Sequence, residues 1–148
     1  MISPNKSKSA ILVVTLAVVS TLAVAMGCSR GGPKTLPVAG QVKLSGGDSS
    51  VLAGHTLEIA LDSNQHIRAA GEIQSDGSFH LQTIQEGAVL SGALPGEYQA
   101  RLVLSDDDTA RKNLAAKTIH PRHMEFERSG LTLRVPSDQP IALEIKRR

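Results

Sequence analysis

Ile67-Arg68-Ala69-Ala70-Gly71-Glu72-Ile73-Gln74-Ser75-Asp76-Gly77-Ser78-Phe79-His80-Leu81-Gln82-Thr83 is the stretch whose reading decides the fold. Its two apolar runs are separated by Ser75-Asp76-Gly77-Ser78, and Asp-Gly in such a connection is the strongest short-range signal of a β-hairpin. Glycine accepts the positive φ that a tight turn requires, so Gly77 is expected at a position that other residues enter only under strain.

Outward from this hairpin the same pattern repeats: short alternating runs punctuated by turn residues, with no sustained period of 3.6. Upstream lie Val38, Gly40, Val42 and Leu44, then Leu57, Ile59 and Leu61. Downstream, Pro95-Gly96 reads as a type II turn that launches Tyr98, Ala100, Leu102 and Leu104. Leu131, Leu133 and Val135, then Ile141, Leu143 and Ile145, complete the set around a Pro136–Pro140 turn. These seven strands predict an all-β, seven-stranded Greek-key β-sandwich over residues 38–146. Gln85 to Leu94 reads as a loop. Ser105 to Gly130 reads as a long irregular segment in which Arg111 to Lys117 has a little helical character.

The first 27 residues have a different layout. Lys6 and Lys8 precede an apolar run, Ala10 to Met26, which at about 1.5 Å per residue spans roughly 25 Å, short of a hydrocarbon core of about 30 Å. With no basic cluster behind it, this reads as a secretory signal, and Ala25-Met26-Gly27-Cys28 resembles a bacterial lipobox. Such a cysteine is acylated and becomes the first residue of the mature chain, so Cys28, the only cysteine, is the expected lipidation site. Two or three acyl chains hold a protein at a membrane, where one gives only reversible binding. Residues 28–37, with two glycines and two prolines, read as a flexible tether. The expected location is the cell membrane or outer membrane, with the domain in the periplasm or at the cell surface.

Composition narrows the function. Removing Lys6 and Lys8 from 16 basic residues leaves 14 against 14 acidic ones, so the mature chain is formally neutral and makes no electrostatic case for nucleic acid. Phe79, Tyr98 and Phe126 are the only aromatics, expected in the core rather than as platforms for sugars or bases. No Gly-x-Ser-x-Gly elbow, His-Glu-x-x-His helix, P-loop or Gly-x-Gly-x-x-Gly occurs. The chain is therefore expected to be non-enzymatic and to need no cofactor.

Two weak ligand sets stand out. His120 and His123 are spaced by three around Pro121, and Asp106-Asp107-Asp108 offers carboxylates to a hard cation. Both fall in the 105–130 segment, whose mixed charges also suit a partner's surface. Exposed positions are expected for His55, His66, His80, His120 and His123.

Val38-Ala39-Gly40-Gln41-Val42, Gly71 before the Ser75–Phe79 hairpin, and Leu94-Pro95-Gly96-Glu97-Tyr98 together resemble carboxypeptidase regulatory-like (transthyretin-like) domains. More closely, the chain resembles the small single-domain lipoproteins of planctomycete-type bacteria, a likeness extended by Ile119–His123 and Ser129–Leu133 and covering about Leu36 to Ile145. The resemblance implies a prealbumin-like sandwich serving as a non-catalytic interaction or structural module of the cell envelope, in contact with another envelope protein. The alternative is a small-ligand or metal-binding lipoprotein that uses the 105–130 segment.

Overall fold

The computed structural model describes residues 34–148, and Cys28, the signal segment and most of the tether lie outside them. Two sheets of unequal size enclose one apolar core. Among the described residues the strands are β1 (Ala39–Leu44), β2 (Thr56–Leu61), β3 (Asn64–Glu72), β4 (Ser78–His80), β5 (Gln82–Gln85), β6 (Ala88–Ser91), β7 (Gly96–Val103), β8 (Leu131–Val135) and β9 (Ile141–Ile145). The large sheet runs β6-β5-β3-β2-β7-β8 and the small one β4-β1-β9, with β1 and β9 parallel.

Nine strands replace the expected seven for two physical reasons. The run Phe79 to Thr83 does not stay in one sheet: Phe79 pairs with Gly40 in the small sheet, while Gln82 pairs with Ala70 in the large one. The chain changes sheets at Leu81, whose N–H donates to the Val38 carbonyl. Gly71 lies against this corner, where a β-carbon would collide with the His80 carbonyl, so glycine is required there for space. The second addition is β6, inside the expected loop, which turns back on β5 through Glu86 and Gly87.

Inward residues of both sheets build the core. Leu57, Ile59, Tyr98, Ala100 and Leu102 face Val42, Leu44, Phe79, Leu143 and Ile145, all at most 5 % exposed. Alternation fixes this: Thr56, Glu58, Arg101 and Val103 occupy the intervening outward positions. The Tyr98 hydroxyl donates to the Leu94 carbonyl four residues upstream, at 2.8 Å, pinning the entry into β7.

Gly77 has φ +83°, as a turn glycine should. It follows the turn instead of centring it: its N–H donates to Gln74 O, and its own carbonyl accepts from Val42 N at 2.8 Å. The hairpin tip is thereby docked onto β1. The expected type II turn at Pro95-Gly96 is replaced by direct entry into β7, with Gly96 at φ +154°.

Residues 105–130 are not an irregular surface segment. They form α1 (Thr109–Thr118), a 3-10 turn (Pro121–Met124) and the single-turn α2 (Phe126–Ser129). Ala115 and Ile119 enter the core, and Phe126 is buried against the outer face of the large sheet. The folded unit also extends beyond residues 38–146, since Leu36 bridges Ala93 and Ile119 bridges Arg147.

Candidate functional site

Each residue marked by the sequence has a definite place. Asp108 caps α1, its carboxylate accepting from Arg111 N at 3.0 Å, which holds its pKa below the usual carboxylate value. Asp106 pairs with Lys112, and Asp107 accepts from the Ser105 hydroxyl. His120 is exposed and accepts from Arg122 N through Nδ1. His123 is buried, and the two imidazoles meet edge to face at 6.5 Å. Among the described residues no group of three or more His, Cys, Asp or Glu converges as a metal site.

His123 and His55 overturn the expectation of exposed histidines, since each is 1 % exposed. His55 Nδ1 accepts from Ser105 N at 3.2 Å, where the 105–130 segment begins. His123 Nε2 accepts from Lys146 N at 3.0 Å, fastening the far part of the segment to the strand end beyond β9. An imidazole that accepts a backbone N–H is neutral at that nitrogen, and the second nitrogen of each ring has no partner. Burial pushes both pKa values down, helped by Arg111 at His55 and by Arg122, His120 and Lys146 at His123. These two rings pin the segment to the rest of the fold. Nothing in their sequence neighbourhood distinguishes them from the exposed His66 and His80.

The outer face of the large sheet carries the more open chemistry. Glu58 on β2 receives Arg101 at 2.7 Å and Arg68 at 3.0 Å, and both guanidinium groups stack on Phe126, 4.6 and 5.3 Å from its ring centre. Cations over an aromatic face are attracted to its negative π-surface. Beside this cluster the small residues Ala70 and Gly71 leave a cleft of about 460 Å³, walled by Glu58 and Arg68 on one side and Gln82, Ile84 and Val89 on the other.

Ile84 and Val89 are cross-strand partners on the β5–β6 hairpin, 75 % and 62 % exposed. β6 is the outermost strand of its sheet, and its sequence Ala88-Val89-Leu90-Ser91 bears no charge and no proline. Its turn residues Glu86 and Gly87 have φ +50° and +80°, the signs of a type I′ turn. Gln85 and Ala88 are then a hydrogen-bonded pair, and the alternation continues through Gly92 N donating to Leu81 O at 2.7 Å. Val89 and Ser91 therefore present their backbone N–H and C=O groups outward from the sheet. The sequence hid this element because Glu-Gly is a poor type I′ pair, whereas Asn-Gly or Asp-Gly announces one.

No family model, no curated protein and no solved structure matches the chain.

Proposed function

We propose that this chain is a lipid-anchored, non-catalytic interaction module of the bacterial cell envelope, acylated at Cys28, which receives an extended segment of an envelope protein along β6. The anchor rests on Gly27-Cys28 behind the apolar run. Kinship with transthyretin-like domains and their Greek-key connections belongs to the same proposal and rests on the sequence resemblance. The observation that carries the binding role is β6 itself. Exposed edge strands are normally blunted by charge, proline or a covering element, because unpaired backbone groups recruit other strands. This one is uncharged and lies beside exposed Ile84 and Val89. Strand addition takes affinity from main-chain hydrogen bonds and specificity from side-chain pockets, which the adjoining cleft supplies.

Val89→Pro tests the binding role, because it deletes an outward N–H while leaving the β5 pairing intact. A photo-crosslinking residue at position 91 of the full chain should capture one envelope protein in cells, and Val89→Pro should abolish that capture without loss of folding. Equal capture from Thr132 on the opposite edge strand, β8, would overturn the assignment. Cys28→Ala should abolish fatty-acid labelling; a variant that still incorporates label refutes the anchor.

A further inference from the structure

We infer the form of the segment that β6 receives: an antiparallel strand of about five uncharged, mainly apolar residues, followed at its C-terminal end by a lysine or arginine. The inference rests on the proposed binding role of β6 and adds direction, register and composition to it. One rung of the same edge is already filled by the chain itself. Leu36 N donates to Ala93 O at 2.8 Å and Ala93 N donates to Leu36 O at 3.0 Å, an antiparallel hydrogen-bonded pair just beyond the end of β6. Outward-facing residues recur at every second position, so Ala93, Ser91 and Val89 form one row of rungs. The chain leaves this row after Leu36, because Val38 is buried and its carbonyl accepts from Leu81 N. Ser91 and Val89 are exposed and pair only with β5.

Direction follows from that first rung. Antiparallel pairing is the more stable per residue, and Leu36 shows that this edge admits it. An antiparallel segment travels from Ser91 towards Gly87, with its N-terminal end against Leu36 and Pro37. Those two residues occupy the next place in the row, so whatever precedes the segment must turn away there. At the other end the hairpin tip, Glu86 and Gly87, is exposed, and the segment leaves past it. From Ser91 to Gly87 the open edge is roughly 17 Å long at about 3.4 Å per residue, and its two vacant rungs take about four main-chain hydrogen bonds.

Composition follows from the two faces. On the outer face the segment meets Val89, with Ile84 behind it. On the other it meets exposed Ala88 and half-buried Leu90, whose cross-strand partner Thr83 is buried. Apolar side chains are therefore favoured on both faces, and a charge on either would lose water without gaining a partner. The exit differs. Glu86 is exposed and takes part in none of the ion pairs of the described residues. A lysine or arginine that passes the turn gains this carboxylate as its neighbour.

The test places a photo-crosslinking residue at position 88 or at position 91 of the full chain in cells and sequences the captured peptide. Both positions should mark the same uncharged run, with a lysine or arginine following it. The residue marked from position 91 should lie about three places N-terminal to the one marked from position 88, the offset that an antiparallel register requires. Glu86→Lys should lower capture about threefold, as expected when one member of an exposed ion pair is reversed in sign, with an unchanged circular dichroism spectrum. Failure to capture from either position removes the binding role of β6 itself, and this inference with it. Capture in the reverse order, or of a charged or helical segment, overturns the inference while that role stands. So does capture unaffected by Glu86→Lys.

Discussion

The 105–130 segment and the β5–β6 hairpin exchange the roles that their sequences suggest. The first is long, charged and aperiodic, and it is anchored at every few residues: Ala115 and Ile119 in the core, His123 under the strand end, Phe126 against the large sheet. The second contains Ile84, Val89 and Leu90, and it holds most of that apolar surface outside the core. Polarity of a stretch reports its average exposure, whereas burial depends on which few residues point inward. One apolar side chain per helical turn is enough to tie a charged segment to a core. An apolar edge strand, conversely, stays exposed when the facing sheet has only three strands.

Truncation separates the two regions most strongly. Ile119→Ala and Phe126→Ala should each cost about 2–5 kcal/mol of stability through lost burial and cavity formation, measured by denaturant unfolding. Ile84→Thr and Val89→Thr should each stay within about 0.5 kcal/mol, as for surface positions. Replacing 105–130 by a short Gly-Ser linker should unfold the domain outright. A folded linker variant would mean that the segment merely covers the sandwich.

The contrast sharpens with pH. His55 and His123 are both held below the ordinary histidine value of about 6.5, mainly by burial. Above that value the rings are neutral in folded and unfolded chains alike, and the pinning bonds are intact. As pH falls below it, the unfolded chain binds protons that the folded chain refuses, so stability decreases until the folded pKa values are reached. Protonation also turns each acceptor nitrogen into a donor facing a backbone N–H. The melting temperature should drop between pH 6.5 and 4.5. His55→Asn/His123→Gln, which keeps acceptors at Nδ1 and Nε2 positions without a titrating ring, should flatten that drop. Equal slopes in both proteins would locate the acid sensitivity in the carboxylates.

Much of the fold was legible because several strands bury one face and wet the other. Strict alternation at Tyr98–Leu102 and Leu131–Val135 needs only a period of two. Gly77 was legible as a positive-φ residue, since Asp-Gly carries that chemistry locally. The sheet change at Leu81 was not, because a strand run reads the same whichever sheet its halves join. The segment's first helix was legible only as slight helical character over Arg111 to Lys117, since only Ala115 and Ile119 mark an inward face, four residues apart and without a third repeat. The histidine pins bond to backbone groups 50 and 23 residues away, pairings that leave no trace in local spacing. Cys28 and its apolar run remain a reading of sequence, outside the described residues.

The smallest expected effect bears on why the hairpin stays exposed rather than docking like the segment. Its turn holds Glu86 at φ +50°, a left-handed conformation in which a non-glycine side chain crowds the backbone. Asparagine tolerates that region, and Asn-Gly is the preferred type I′ pair. Glu86→Asn should therefore stabilise the domain by about 0.5–1 kcal/mol without touching the core. The gain should appear as slower amide exchange of the N–H groups shared by β5 and β6. If these groups exchange with the same opening free energy as those of β2 and β7, the hairpin unfolds only with the whole sheet, and its edge is a rigid template. A lower opening free energy in β5 and β6 instead identifies a locally opening edge, one that a partner strand would order as it binds.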